Sequence, residues 1–271
     1  MPQSDLNPPI SRTNVLGVGV SALNIPLAVD RICSWVEQRS SCQYVCVRDV
    51  NGIMESQRDP ELRYIHNRAG LVTPDGMPMV WLSRLAGHKE VSRVYGPDLM
   101  TAITQVSAER GYRQFYYGGT TGVAELLADK LAQRFPGLVV CGTYTPPFRP
   151  LTEQEDQQVI DMINTSKADF VWVGLSTPKQ ERWMAAHASK LNVPVLLGVG
   201  AAFDFLSGTK IQAPRWIQRS GFEWLYRLIQ EPRRLGKRYL VNNPLFIWKV
   251  FWQVVGLKKY TLDDGREAVR L

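Results

Sequence analysis

Histidine and cysteine are scarce in this chain, three and four among 271 residues. His66, His88 and His187 stand far apart, with no HxxH or HExxH pattern, and no Asp-X-Asp occurs. The spacing therefore gives no reason to expect a bound metal. The aspartate doublet, Asp263-Asp264, lies in a polar tail and reads as solvated. Cys33, Cys42, Cys46 and Cys141 form no CxxC pair, and three of them sit in or beside apolar runs. They read as reduced core thiols of a cytosolic protein. No apolar run approaches the ~20 residues that a spanning helix needs. The opening, "MPQSDLNPPISRTN", has no apolar stretch of the kind a signal peptide carries. Internal repeats and low-complexity segments are also missing. These absences set the expectation of a cytoplasmic protein.

Acids are rare in one region only. Residues 210–260 hold eleven Lys/Arg and two acids, +9, while the other residues hold 21 and 23, −2. All the excess in the net charge of +7 thus sits near the C-terminus. Such a block calls for an anionic partner: phosphates, a membrane surface or nucleic acid. The hydrophobic fraction, 45%, suffices for one large domain or a domain with an appendage.

Short apolar runs predict strands over 43–47, 114–118, 138–144, 169–174 and 194–200. Amphipathic stretches lie between them. The spacing predicts a helix over 123–135 with Leu126, Leu127, Leu131 and Phe135 on one face, another opening after Thr152, and a third after Pro178. Strands this apolar are buried on both faces, which fits a parallel sheet between helix layers. The fold class read from this order is α/β, a Rossmann-like, mostly parallel, doubly wound sheet flanked by helices. The pattern changes near Lys210, dividing the chain into residues 1–209 and a basic, aromatic-rich helical appendage, 210–271, in which Pro232 and Pro244 each look like a helix start.

Several strand ends carry polar or glycine-rich turns. In "FYYGGTTGVAELL", Gly118, Gly119 and Gly122, with Thr120 beside them, allow backbone N–H groups at a helix start to approach a phosphate; a plain tight turn accounts for them equally well. In "VGLSTPKQERW", Gly174 is followed by a polar cluster. Thr177 and Gln180 are explained by a capping box, which leaves Lys179 and Glu181 to meet solvent or a substrate. "LLGVGAAFDFLSG" adds Gly198 and Gly200. Three such ends in one sheet favour a ligand cleft. In "AGLVTPDGMPMVW", Asp75 is either a turn residue bonded to its own backbone or a carboxylate held at the edge of the core for chemistry. "SRVYGPDLM" contributes Arg93, suited to a phosphate or an acid, and Asp98, a helix-start residue. In the tail, Arg227, Arg234 and Lys237 or Arg238 are spaced so that they would share a helix face and clamp a phosphate; a solvated charge run is the alternative. "LFIWKVFWQVVGL" suits a helix lying in a membrane interface, with Lys249 and Gln253 on its polar face.

These residues resemble a known family, the WecG/TagA/CpsF bacterial glycosyltransferases (glycosyltransferase family 26). The resemblance runs from about Val15 to Val255, through "ESQRDPELRYIHNRAGLVTPDGMPMVW", "RVYGPDLM", "FYYGGTTGVAE", "VGLSTPKQE", "GVGAAFDFLSG", "APRWIQRSGFEWLYRL" and "EPRRLGKRYLVNNP". It implies an inverting, metal-independent transfer, without cofactor, from a UDP-sugar to a polyprenyl-diphosphate-linked sugar at the cytoplasmic membrane face. It implies also a peripheral enzyme on the inner membrane, with an appendage that helps complete the site. By the same resemblance Asp75 is the general base. Arg93, Arg227 and Arg234 serve catalysis, and Lys237 or Arg238 supplies a further basic position. Substrate-binding roles fall on Asp49, Gly118, Gly119, Thr120, Gly174, Lys179, Gln180, Glu181 and Gly200. Many members carry Thr-X-Asn where this chain reads "VRDVNG", with Val47 and Asp49 in those places. That departure bears on the sugar, and the family's exopolysaccharide branch also uses glucose-type substrates. The partners expected are thus the donor, the lipid-linked acceptor and an anionic membrane surface, rather than nucleic acid. The oligomeric state stays open, a homo-oligomer included.

Two other readings compete. A NAD-dependent oxidoreductase would use the Gly118–Gly122 turn, but "LVVCGTY" has no acid to end the next strand. A nucleic-acid binder would use the basic, aromatic tail.

Overall fold

The computed structural model describes residues 9–39 and 41–262; Asp263-Asp264 and the first eight residues of the polar start lie outside them. The chain opens with an antiparallel hairpin, β1 (Arg12–Val15) and β2 (Val18–Ser21), and then α1 (Ile25–Gln38). β3 (Gln43–Arg48) runs into α2 (Val50–Ser56) and α3 (Pro60–Arg68), and β4 (Leu71–Pro74) into α4 (Met77–Leu85) and α5 (Gly96–Arg110). There follow β5 (Arg113–Gly118), α6 (Val123–Arg134), β6 (Val139–Tyr144), α7 (Glu153–Ser166), β7 (Phe170–Gly174), α8 (Lys179–His187) and β8 (Val195–Gly198). Helices α9 (Ala202–Leu206), α10 (Arg215–Ser220), α11 (Glu223–Gln230) and α12 (Pro232–Val254) complete the described chain.

Strands β3 to β8 form one sheet in the order β4-β3-β8-β7-β5-β6, parallel throughout. Alternation along β7 shows why it is apolar at every position. Phe170 and Trp172 enter a core made with α1, α5, α6 and α9. Val171 and Val173 enter a second core, made with the hairpin, α7, α8 and α12. Both faces are covered, as expected for crossover helices on a parallel sheet.

The five strands read from the sequence are all present, with ends moved by one or two residues; β4 and the hairpin are additions. β4 has only four residues and ends in Thr73-Pro74, too short and too mixed for an apolar-run signal. Thr152 does cap α7, in a reciprocal box with Glu155. On α6, Leu127 and Leu131 are buried but Leu126 is exposed, because the buried stripe runs through Val123, Ala124, Leu127 and Leu131 instead.

Pro232 starts α12 as expected, but Pro244 sits inside that helix, not at the head of a new one. It forfeits one helical hydrogen bond on the exposed side, where the carbonyl of Leu240 can meet water. Packing holds the helix through this point. Leu235, Tyr239, Asn242, Phe246 and Gln253 form its buried stripe. Asn242 donates to Asn51 Oδ1 (2.8 Å) and accepts from Arg58 (2.6 Å); Gln253 bonds Leu16 N–H (2.9 Å) and Asn14 C=O (2.7 Å) of the hairpin. Gln253 is therefore turned inward, opposite to its expected place on a solvated polar face. The outward side carries Trp248 and Phe251. Among the described residues no helix is long and apolar enough to cross a membrane.

Candidate active site

Strands β3 and β4 are neighbours, paired in register up to Arg48 opposite Pro74. The next residues are Asp49 and Asp75, so parallel pairing brings two carboxylates side by side at the carboxyl edge of the sheet. The Asp75 N–H extends the ladder to the Arg48 carbonyl (3.0 Å). Asp49 caps α2, accepting from the Gly52 N–H (2.9 Å). Asp75 caps nothing: Gly76 holds the cap position of α4, with no side-chain cap. Its Oδ1 instead accepts from Arg93 Nη2 (3.2 Å), and its carbonyl from Arg93 Nε. The turn reading of Pro-Asp-Gly thus explains the backbone and leaves the carboxylate for something else.

Asp49, Asp75, Arg93, Glu223 and Arg227 line one cavity of about 670 Å³, bounded by α4 on one side and by α11 and α12 on the other. Glu223 and Arg227 come from beyond Lys210, so the tail helices wall the space in which Asp75 lies. Arg93 reaches Glu223 Oε2 (2.6 Å) as well as Asp75, donates to the Gln218 carbonyl (3.3 Å) and lies 4.1 Å from the centre of the Tyr95 ring. Arg227 pairs with Glu223, donates to the Tyr95 hydroxyl (3.1 Å) and lies over Phe205. Two guanidinium groups are held a short way from one carboxylate, fixed by a shared acid.

The two aspartates differ electrostatically. Burial pushes the Asp75 carboxyl up to about 6; Glu223 and Asp49 add to the rise, against Arg93 and Arg227. Asp49 is also penalised by burial, but Arg238 (3.7 Å) and the Gly52 amide outweigh this and hold it below the usual range. Two neighbouring carboxyls driven apart in this way mark the higher one as the group able to exchange a proton near neutrality.

The glycine-rich strand ends lie further along the same edge and do not line this cavity. Their glycines answer mainly to each other. A Cβ on Gly118, whose φ is +120°, would fall 2.7 Å from the Gly174 carbonyl carbon, and one on Gly174 would fall 2.8 Å from the Phe203 ring. Gly119 and the exposed Thr120 continue the turn into α6, and Gly200 lies beside Gln180. Lys179 is exposed, over Phe148.

The expected capping box at α8 does not form. Pro178 occupies the cap position. Thr177 Oγ1 accepts from Arg48 Nη1 (2.8 Å), and the Gln180 amide donates to Glu181 Oε1 (2.9 Å), leaving Gln180 Oε1 buried without a partner. Glu181 is not free to meet solvent or substrate: it is fully buried and paired with Arg48 at 2.5 Å. Replacing Glu181 by Gln strands the buried guanidinium, and we expect unfolding free energy to fall by about 3 kcal/mol in urea titration. Adding Arg48→Met should recover most of that loss. A single variant as stable as the parent would count against the pair as a structural tie.

The basic tail residues do not share a face, because Arg227 belongs to α11 and the others to α12. Arg234 is 60% exposed, paired with Glu231, and outside the cavity. Lys237 is exposed. Arg238, half-buried, faces Asp49. Among the described residues no three His, Cys, Asp or Glu are grouped to hold a metal. Glu223, Tyr95 and Arg48 escape the sequence reading. Only Glu223 carries a signal there, as one of two acids within a block of eleven bases.

Residues 13–260 match the Glycosyl transferase WecG/TagA/CpsF family. The chain belongs to this family. It is therefore a glycosyltransferase. Among its relatives is an N-acetylglucosaminyldiphosphoundecaprenol N-acetyl-beta-D-mannosaminyltransferase of Bacillus spizizenii. That protein is 29% identical over 196 residues, 72% of this chain and 74% of the relative. Proteins of the same name from Staphylococcus aureus are 28% identical over 184 residues, covering 68% of this glycosyltransferase and 70% of their own length.

Proposed function

We propose that this glycosyltransferase moves a hexose or N-acetylhexosamine from a UDP-sugar to a polyprenyl-diphosphate-linked sugar, with inversion and without a metal. The observation that carries the proposal is the cavity that joins Asp75, at a strand end, to Arg93 and Arg227, with the latter supplied by the tail. Asp75 takes the proton from the acceptor hydroxyl. That oxygen forms its bond to the anomeric carbon as the bond from this carbon to the phosphate oxygen breaks. The electron pair leaves with UDP, whose growing charge falls to Arg227 and Arg93. Gly118, Gly119, Thr120, Gly174, Lys179, Gln180 and Gly200 surround the donor nucleotide. Asp49 and Arg238, with Lys237 nearby, meet the sugars and phosphates, and Arg234 joins them if the first turn of α12 shifts on binding. The names of the relatives support the acceptor class, and with it polysaccharide assembly at a cell surface. Residues 1–209 then act as the catalytic unit and 210–271 as its appendage. The exposed aromatics of α12 and the basic charge of the tail suit peripheral attachment to an anionic membrane on its cytoplasmic side.

Mass spectrometry of products from a panel of UDP-sugars, with lipid-diphosphate sugars as acceptors, tests the reading. One pairing should add a single sugar and release UDP. If no pairing releases UDP, the proposal fails. Neither a dinucleotide nor a nucleic acid is favoured by any feature of the cavity.

A further inference from the structure

The cavity has a second half that the chemistry above does not use. Beyond Asp75 and the two arginines its walls become apolar. Trp81 and Leu85 stand one turn apart on α4, and Ile247, Phe251 and Val254 form an i, i+4, i+7 stripe on α12. Phe222 joins them from the segment before α11. All six line the cavity, yet all six are at least 40% exposed. Two facing apolar stripes that neither meet nor bury one another leave an open groove leading from the charged end to the surface. Side chains of this size and exposure, gathered around one channel, mark a binding surface rather than ordinary surface scatter.

The arrangement of charge selects the occupant. A ligand filling this space beside the donor must be anionic at one end, where Arg238 faces Asp49 at the cavity wall, and hydrocarbon thereafter. We infer that the first isoprenoid units of the acceptor lie inside the protein, between α4 and the C-terminal half of α12, with the acceptor diphosphate at the charged end of the cavity toward Arg238, while Arg93 and Arg227 serve the donor. This rests on the acceptor class proposed above and goes beyond it. The chain is gripped by protein before it reaches any bilayer, so recognition includes the lipid as well as the sugar. Trp248, which is exposed but does not line the cavity, is left for the membrane.

Calorimetric titration of the full chain with isopentenyl, geranyl and farnesyl diphosphate, in buffer free of vesicles and detergent, tests the inference without requiring turnover. Affinity should tighten by at least about tenfold with each added isoprene unit. In a Leu85→Ser/Phe251→Ser variant, farnesyl diphosphate should fall back to the affinity of isopentenyl diphosphate, which itself should not change. Trp248→Ser should retain the full chain-length series. Equal affinities for the three ligands on the unaltered protein would overturn the inference and place the hydrocarbon in the membrane. Self-association abolished by the double substitution, with no gain from chain length, would assign the groove to a second copy and overturn it equally. Intact chain-length dependence without sugar transfer to any acceptor would instead overturn the proposed reaction and leave the groove standing.

Discussion

Asp75→Asn should lower sugar transfer by about 10³-fold, the scale of a lost general base, while UDP still binds as measured by thermal shift. The amide fills the same space beside Arg93 but cannot take a proton from the acceptor hydroxyl. The substitution should also raise the melting temperature at pH 7 to 8. The sign follows from the carboxyl's displacement to about 6 by burial and by Glu223 and Asp49. A group whose folded value lies above its unfolded one stabilises the fold while protonated. That stabilisation is present below about pH 4 and lost as pH rises through about 6. At neutral pH the ionised Asp75 is thus a burden on the fold, and removing its charge relieves it. The same displacement sets the acid limb of kcat/KM, which should turn near pH 6 rather than near 4. A limb near 4, or a variant that keeps its turnover, would remove Asp75 as the base.

Arg227→Ala should lower kcat by 10²–10³-fold, about the loss seen when one preorganised donor to a developing charge is removed. The melting temperature should move little by comparison. Arg227 is well placed for this role because Glu223, Tyr95 and Phe205 fix it from three sides before any substrate arrives. A guanidinium already oriented needs no reorganisation as UDP departs. Arg227→Lys should recover only part of the rate, since an ammonium cannot present the planar fork. Arg234 provides the contrast. In the present arrangement it lies outside the cavity and holds Glu231, so its truncation should cost far less than that of Arg227 unless substrate draws α12 inward. A fall in melting temperature large enough to account for the lost activity would make Arg227 a structural residue.

Much of the frame is legible in the linear chain. β7 and β8 are apolar at nearly every position because both their faces are covered, and that signal survives without coordinates. The hairpin and β4 leave no such trace. β1 buries Arg12, Thr13 and Asn14, and the charged and amide side chains of Arg12 and Asn14 are satisfied by partners such as the carbonyls of Asn67 and Gly70 and the backbone of Gly17 and Tyr260. A reading by hydrophobicity cannot see a strand whose burial is met by hydrogen bonds. Pro244 misleads for a related reason: a proline disfavours helix locally, but the contacts of Asn242, Phe246 and Gln253 on either side outweigh one missing bond.

By itself the sequence determined the α/β class, five of the six sheet strands, the basic tail and the choice of Asp75, Arg93 and Arg227 as candidates, because apolar periodicity, charge and motif residues are properties of neighbours along the chain. Only the tertiary structure decided that Asp49 and Asp75 lie side by side and that Glu223 bridges two arginines more than a hundred residues apart. It also decided that Glu181 is a buried structural partner, and that α4 and α12 enclose an apolar groove. Those outcomes depend on strand register and helix docking, which arise when both faces of the sheet are covered and distant polar groups must find partners at once; no local pattern encodes which distant group that partner will be.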